Sequence, residues 1–285
     1  MRHIAALVCV SFGAFIAVAH CEVSDDYALQ ALAALRERDA NKALELAEKA
    51  VTAHPMDAEC WFVRGVVLSA LQKPAKAVSD FDKALLSDPK MVEVYDRRGN
   101  EEFKLGRFTE SVADFDRYLE ARPDERPGHW RRGISLYYAG KYDEGRKQFA
   151  GYEKVDTNDV ENAVWHFLCA ARADGMEKAR ASMLKIGKDS RVPLMKVYDL
   201  FHGDAKPEDV LAAARAGDPS KEELNSRLFY AHLYLGLYFD MMGDKKQALE
   251  HMTLAAHKHT ISEYMGDVTR VHERLLLKDK AAKAK

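Results

Sequence analysis

Through the middle of the chain, apolar and small residues recur at three- and four-residue steps, the spacing of helices that each bury one stripe. Trp61, Gly65 and Leu68 form one stripe, and Ala77, Phe81 and Ala84 form a second. Short polar breaks carrying Gly or Pro separate them, so the pattern predicts paired helices joined by tight turns. "LGRF", "AGKY" and "MGDK" put Gly106, Gly140 and Gly243 just past a helix end, where a left-handed cap is favoured. Pro at the end of each pair stops the second helix, and Asp57 is placed to cap the next.

The pairs recur at a step of 34 residues, which links Pro55, Pro89 and Pro123, then Gly65, Gly99 and Gly133, then Phe81, Phe115 and Phe149. Trp61, Tyr95 and His129 keep the same step, as do Arg64, Arg98 and Arg132. Self-similarity at a fixed interval signals stacked repeats, each burying what its neighbour leaves uncovered. The surviving positions are those the packing requires. Gly lets two helix backbones approach, so a larger residue there would overpack by about 1–3 kcal/mol. The aromatic fills the space between helices, and its burial stabilises by roughly 1.5–3 kcal/mol.

Period and residues together resemble the tetratricopeptide repeat family, which implies an all-α fold, an α-solenoid of stacked helix–turn–helix hairpins. Residues 58–157 carry the resemblance most strongly, and Ala43, Ala47, Ala50 and Pro55 extend it back to 24. The expected organisation is a repeat array over 24–193, with units near 24–57, 58–91, 92–125 and 126–159. A degenerate unit follows at 160–193, where Phe167 replaces the packing Gly. An irregular helical pair is expected over 194–228, a last unit over 229–262, a capping helix over 263–279 and a basic tail over 280–285. Glu102 stands where the family has a large apolar residue, with Phe103 beside it to take over the packing.

The order "VWHFLCAAR", "VYDLFHG", "PEDVL" and "YLGLYF" in the second half is similar to the bacterial new lipoprotein I (NlpI) type. That resemblance implies an adaptor at the outer membrane that gathers peptidoglycan hydrolases and a protease. The N-terminus fits export in its own right. "MRH" precedes an uncharged apolar run of 16 residues ending in the A-x-A spacing of Ala17 and Ala19. A signal peptide over 1–19 is expected, and lipidation of Cys21 is an alternative, although His20 departs from the small residue that a lipidation box prefers. An uncleaved N-terminus would anchor the chain instead. Cys60 and Cys169 sit in apolar helical stretches and read as small buried hydrophobes.

A formal net charge of −2 gives no electrostatic case for nucleic acid. No hydrolase, metalloprotease or phosphate-loop motif occurs, so no catalytic residue, cofactor or metal is assigned. His251, His257 and His272 would have to converge to support a metal-dependent enzyme, and their spacing does not share one helix face. Asp80 and Asp114 lie sixteen residues after Arg64 and Arg98 and read as ion-pair partners between helices. Gln148 lies sixteen after Arg132, which leaves Arg132 as a candidate for an acidic ligand group.

In the tetratricopeptide family ligands lie along the first helix of each unit. Carried over, the lining would be Glu59, Phe62, Val66 and Ser69; Glu93, Asp96, Asn100 and Phe103; and Pro127, Trp130, Ile134 and Tyr137. Aromatics at Phe62, Trp130 and Tyr137 would anchor a protein or peptide partner, and Asn100 would bond its backbone. Trp130 could equally pack on a neighbouring helix. A non-catalytic scaffold is the leading expectation, and a homodimer or larger homo-oligomer built through the repeats is the alternative.

Overall fold

The computed structural model describes residues 26–283, so the expected export signal and Cys21 lie outside the described residues. Every regular element in this range is helical. The chain divides after Leu105 into two compact units.

The first unit contains α1 (26–36), α2 (Ala40–Ala53), α3 (Ala58–Ala70), α4 (Pro74–Ser87) and α5 (Val92–Leu105). Small residues on α1 and α2 (Ala31, Ala43, Ala47, Ala50) meet Cys60, Val63 and Val67 of α3 in one core cluster. Phe81, Ala84 and Leu85 of α4 pack with Leu68 and Val94 in the next. Asp39 and Asp57 cap α2 and α3 by accepting from the backbone N–H of Lys42 and Glu59. Trp61 Nε1 donates to the carbonyl of Pro55, and the Tyr95 hydroxyl donates to that of Pro89. In these two hairpins the repeated aromatic thus ties the helix to the proline six residues before it.

The second unit opens with α6 (Phe108–Ala121), α7 (Trp130–Tyr138) and α8 (Tyr142–Gly151). Next come α9 (Val160–Asp174) and α10 (Met176–Ala181), the latter reduced to six residues. Phe167 of α9 is fully buried and edge-on to Phe201 at 5.4 Å. Phe201 belongs to α11 (Leu194–His202), which is followed by α12 (Pro207–Arg215). The long α13 (Lys221–Met241) starts eight residues before the expected last repeat. Ser220 accounts for the early start, since its hydroxyl accepts from Glu223 N–H and two acidic residues occupy the first turn. After α14 (Lys245–Thr253) a π-helical turn spans Leu254–Lys258, and α15 (Tyr264–Lys283) closes the unit. That last helix takes in most of what reads as a basic tail.

Candidate functional site

The first-helix stripes divide by depth. In the first unit Glu59 is exposed, Phe62, Val66 and Ser69 are half-buried, and so are Asp96 and Asn100. Phe62 packs against both core clusters and tilts over Phe81 at 6.1 Å, so much of its ring belongs to the interior. Phe103 is wholly buried and so lines no groove, and Glu102 beside it is buried as well. Asn100 Oδ1 is buried with no hydrogen-bond partner. Glu101, one position along, was not expected to matter. It is 2% exposed, accepts from Ser69 Oγ at 2.5 Å, and pairs with Lys104 at 2.7 Å.

The "DFD" triplet has a division of labour that its periodicity does not reveal. Asp80 accepts from Nε and Nη2 of Arg64, at 2.6 and 2.8 Å, whereas Asp82 takes Arg98 of the following hairpin at 2.7 Å. Two residues apart on a helix, the carboxylates point to different neighbours. Asp116 repeats the second role. Its carboxylate accepts from Arg132 Nε at 2.7 Å, and Arg132 also donates to Gln148 at 3.2 Å. Arg132 is 8% exposed and already paired with Asp116, so it is not the unpartnered cation that was expected. The partner it was thought to lack comes from sixteen residues before it.

Tyr137 is likewise no groove residue. Its ring meets Trp165 and Tyr138 edge-on at 5.5 and 5.2 Å, and its hydroxyl accepts from Arg172 Nε. Burial pushes its pKa up to about 12.

Trp130 and Ile134 do line an opening, a cavity of about 310 Å³ within the second unit. Trp130 is half-buried and takes Tyr264 edge-on at 5.2 Å. α9 contributes Glu161, Asn162 and Trp165, and α13 contributes Tyr230. The segment after the shortened α10 brings in Arg191. Its guanidinium reaches Asp189 at 2.6 Å, Glu161 at 2.7 Å and Asp159 at 2.8 Å. Glu161 also accepts from the Tyr234 hydroxyl at 2.6 Å. Burial raises the Glu161 carboxyl to about 6, against the pull of Tyr234 and Arg191. Asp189 ends below its usual value because bonds from Arg191 and from Val160 N–H outweigh its burial.

Residues 29–92 and 97–159 match the tetratricopeptide repeat family. No curated protein matches the chain. Among solved structures, a tetratricopeptide repeat protein from Parabacteroides merdae ATCC 43184 superposes with a TM-score of 0.56 at 13% identity, over 90% of this chain and 99% of that one. YrrB, described as a TPR protein with an unusual peptide-binding site, gives 0.52 at 19% identity over 66% and 89%. PilW, described as a type IV pilus biogenesis factor, gives 0.50 at 18% identity over 86% and 98%. At these identities the likeness is one of fold.

Beyond the matched repeats, the C-terminal histidines take separate partners. His251 Nδ1 meets His232 Nδ1 at 2.8 Å, His257 meets Glu273 at 2.9 Å, and His272 meets the Tyr138 hydroxyl at 3.0 Å. The metal-enzyme alternative loses its constellation, and no cluster of three or more metal-ligating side chains occurs among the described residues. Cys60 and Cys169 are buried thiols, and burial raises the Cys169 pKa further above the usual thiol range.

Proposed function

We propose that the chain is a non-catalytic adaptor of a bacterial cell envelope that holds a peptide or protein partner against its tetratricopeptide hairpins. The half-buried Trp130, in the wall of an aromatic and acidic cavity, carries this reading. Indole anchors beside desolvated pockets commonly dominate binding energy. YrrB, of the same fold, has a peptide-binding site by its description, and PilW is a pilus biogenesis factor. The similarity in element order to the NlpI type points to peptidoglycan-processing enzymes or proteases as partners. The apolar N-terminal run and the A-x-A spacing support export, with Cys21 as the site of any lipid.

Affinity capture from an extracytoplasmic extract tests the adaptor role. A specific partner should be retained by the wild-type chain, and Trp130→Ala should weaken it by about 2 kcal/mol. Recovery of no specific partner contradicts the reading. The intact mass of the exported protein tests its address, since cleavage after Ala19 and acylation at Cys21 give different masses.

A further inference from the structure

We infer that the cavity of the second unit receives a lysine or arginine side chain of the bound polypeptide. The inference rests on the adaptor reading and names the chemistry its site selects.

At about 310 Å³ the cavity lies at the small end of ligand pockets, which span roughly 300–1,000 Å³. It therefore suits one long side chain rather than a folded element. Its walls present the rings of Trp130, Tyr152 and Tyr230, and electron-rich ring faces attract cations. Elsewhere the protein already covers such faces. Arg64 and Lys83 lie over Trp61 at 4.8 and 4.0 Å, and Arg98 lies over Tyr95 at 5.7 Å. Among the described residues no cation of the chain lies over Trp130, Tyr152 or Tyr230.

The charge balance points the same way. Arg191 is one cation set among three carboxylates, Asp159, Glu161 and Asp189, so the cluster is left acidic when all are ionised. Glu263 adds an exposed carboxylate to the lining, with no ion-pair partner among the described residues. Two further groups in the wall lack partners. Asn162 Oδ1 and Trp165 Nε1 are buried and make no hydrogen bond, in side chains 5% and 2% exposed. The carbonyl requires a donor and the indole an acceptor. A cationic side chain supplies the first, and a peptide carbonyl beside it supplies the second.

A cation bound beside Glu161 would draw its raised carboxyl back toward ionisation, so binding near pH 6 should release protons. This gives the test a readout that simple adhesion would not move.

Titration calorimetry of the full chain with capped pentapeptides Ac-Gly-Gly-Xaa-Gly-Gly-NH2 tests the inference, where Xaa is lysine, arginine, norleucine or glutamate. The lysine or arginine peptide should bind at least about tenfold tighter than the other two. Protons should be released near pH 6, as judged in two buffers of different ionisation heat. Trp130→Ala and Glu263→Lys should each weaken binding about fivefold or more. Glu263 is exposed, so its variant retains the fold if Trp130→Ala does not. Norleucine binding as well as lysine, or lysine binding unchanged by Glu263→Lys, would overturn the inference. Partner capture separates it from the adaptor role. A partner held equally by wild type and Glu263→Lys sinks the cavity and spares the adaptor. Selective lysine binding without any captured partner does the reverse.

Discussion

A β-carbon placed on Gly65 would stand 2.5 Å from Cε1 of Phe81, sixteen residues later on the facing helix. The same relationship joins Gly133 to Phe149, at 2.6 Å from Cζ, and in weaker form Gly236 to Met252 at 2.8 Å. Both rings are buried, so neither can swing away cheaply. Gly65→Ala and Gly133→Ala should each destabilise by about 1–3 kcal/mol in denaturant unfolding. Gly236→Ala should cost less, because a thioether chain yields where a ring does not. Combining Gly133→Ala with Phe149→Leu should recover part of the loss. Strict additivity in that double mutant would mean the two positions do not share the space.

The turns yield a prediction of the opposite sign. Gly106 and Gly140 have φ of 80° and 75°, and the positions one and two repeats before Gly106 are Gln72 at 55° and Arg38 at 63°. All four have the left-handed backbone, which costs a residue bearing a β-carbon roughly 1–2 kcal/mol. Gln72→Gly and Arg38→Gly should therefore stabilise the first unit, by about 1 kcal/mol or less after the added freedom of the unfolded chain. Gly106→Ala should destabilise. Equal midpoints for Gln72→Gly and wild type in urea would mean the turn is already relaxed.

These two cases show what the sequence carries and what it hides. The Gly–Phe contact is legible because both partners recur at the period and their sizes are complementary. The left-handed turn is legible at Gly106 but not at Gln72, since nothing about glutamine announces a positive φ. Arg132 was misread because ion pairs here run backward as well as forward along the chain: Asp116 belongs to the preceding hairpin. Tyr137 and Phe103 sit on the stripe of the first helices, yet rotation of a few tens of degrees separates lining from core. The cavity was only half legible. Trp130 lies in a repeat, whereas Arg191, Tyr230 and Tyr264 come from segments outside the matched repeats. The one local hint was "DVEN", acidic residues placed before and within the first turn of α9.

Arg132 itself should behave as a structural residue. Its guanidinium is enclosed, while Asp116 retains about a third of its side-chain exposure, so solvent screens part of the pair. Asp116→Asn should cost about 1 kcal/mol. Arg132→Glu would bury a carboxylate beside another and should cost about 3 kcal/mol or more. The check is a melting curve. A charge reversal that leaves the melting temperature unchanged while abolishing partner capture would return Arg132 to the ligand surface.

The second unit should also lose stability in mild acid. His232, His166 and His272 are each about 95% buried, and burial lowers them to about 3, 4 and 4. His251, His259, Arg215 and Lys258 add repulsion at His232, and Arg146 does so at His166. At His272, Lys245 and Arg172 oppose protonation while Asp240 favours it. In the unfolded chain these imidazoles protonate near pH 6.5. Because the folded values are depressed, their stability is present above 6.5 and is lost as pH falls toward 4, at about 1.4 kcal/mol per pH unit for each. Glu161 works the other way. Its folded value of about 6 exceeds the unfolded one, so it gains stability as pH drops from 6 to 4.5 and offsets about one histidine. The melting temperature should therefore stay level above pH 7 and fall steadily between 6.5 and 4.5. His232→Gln should flatten the fall, since its amide has no proton to gain. An acid limb equally steep in that variant would show that His232 is already protonated in the folded chain.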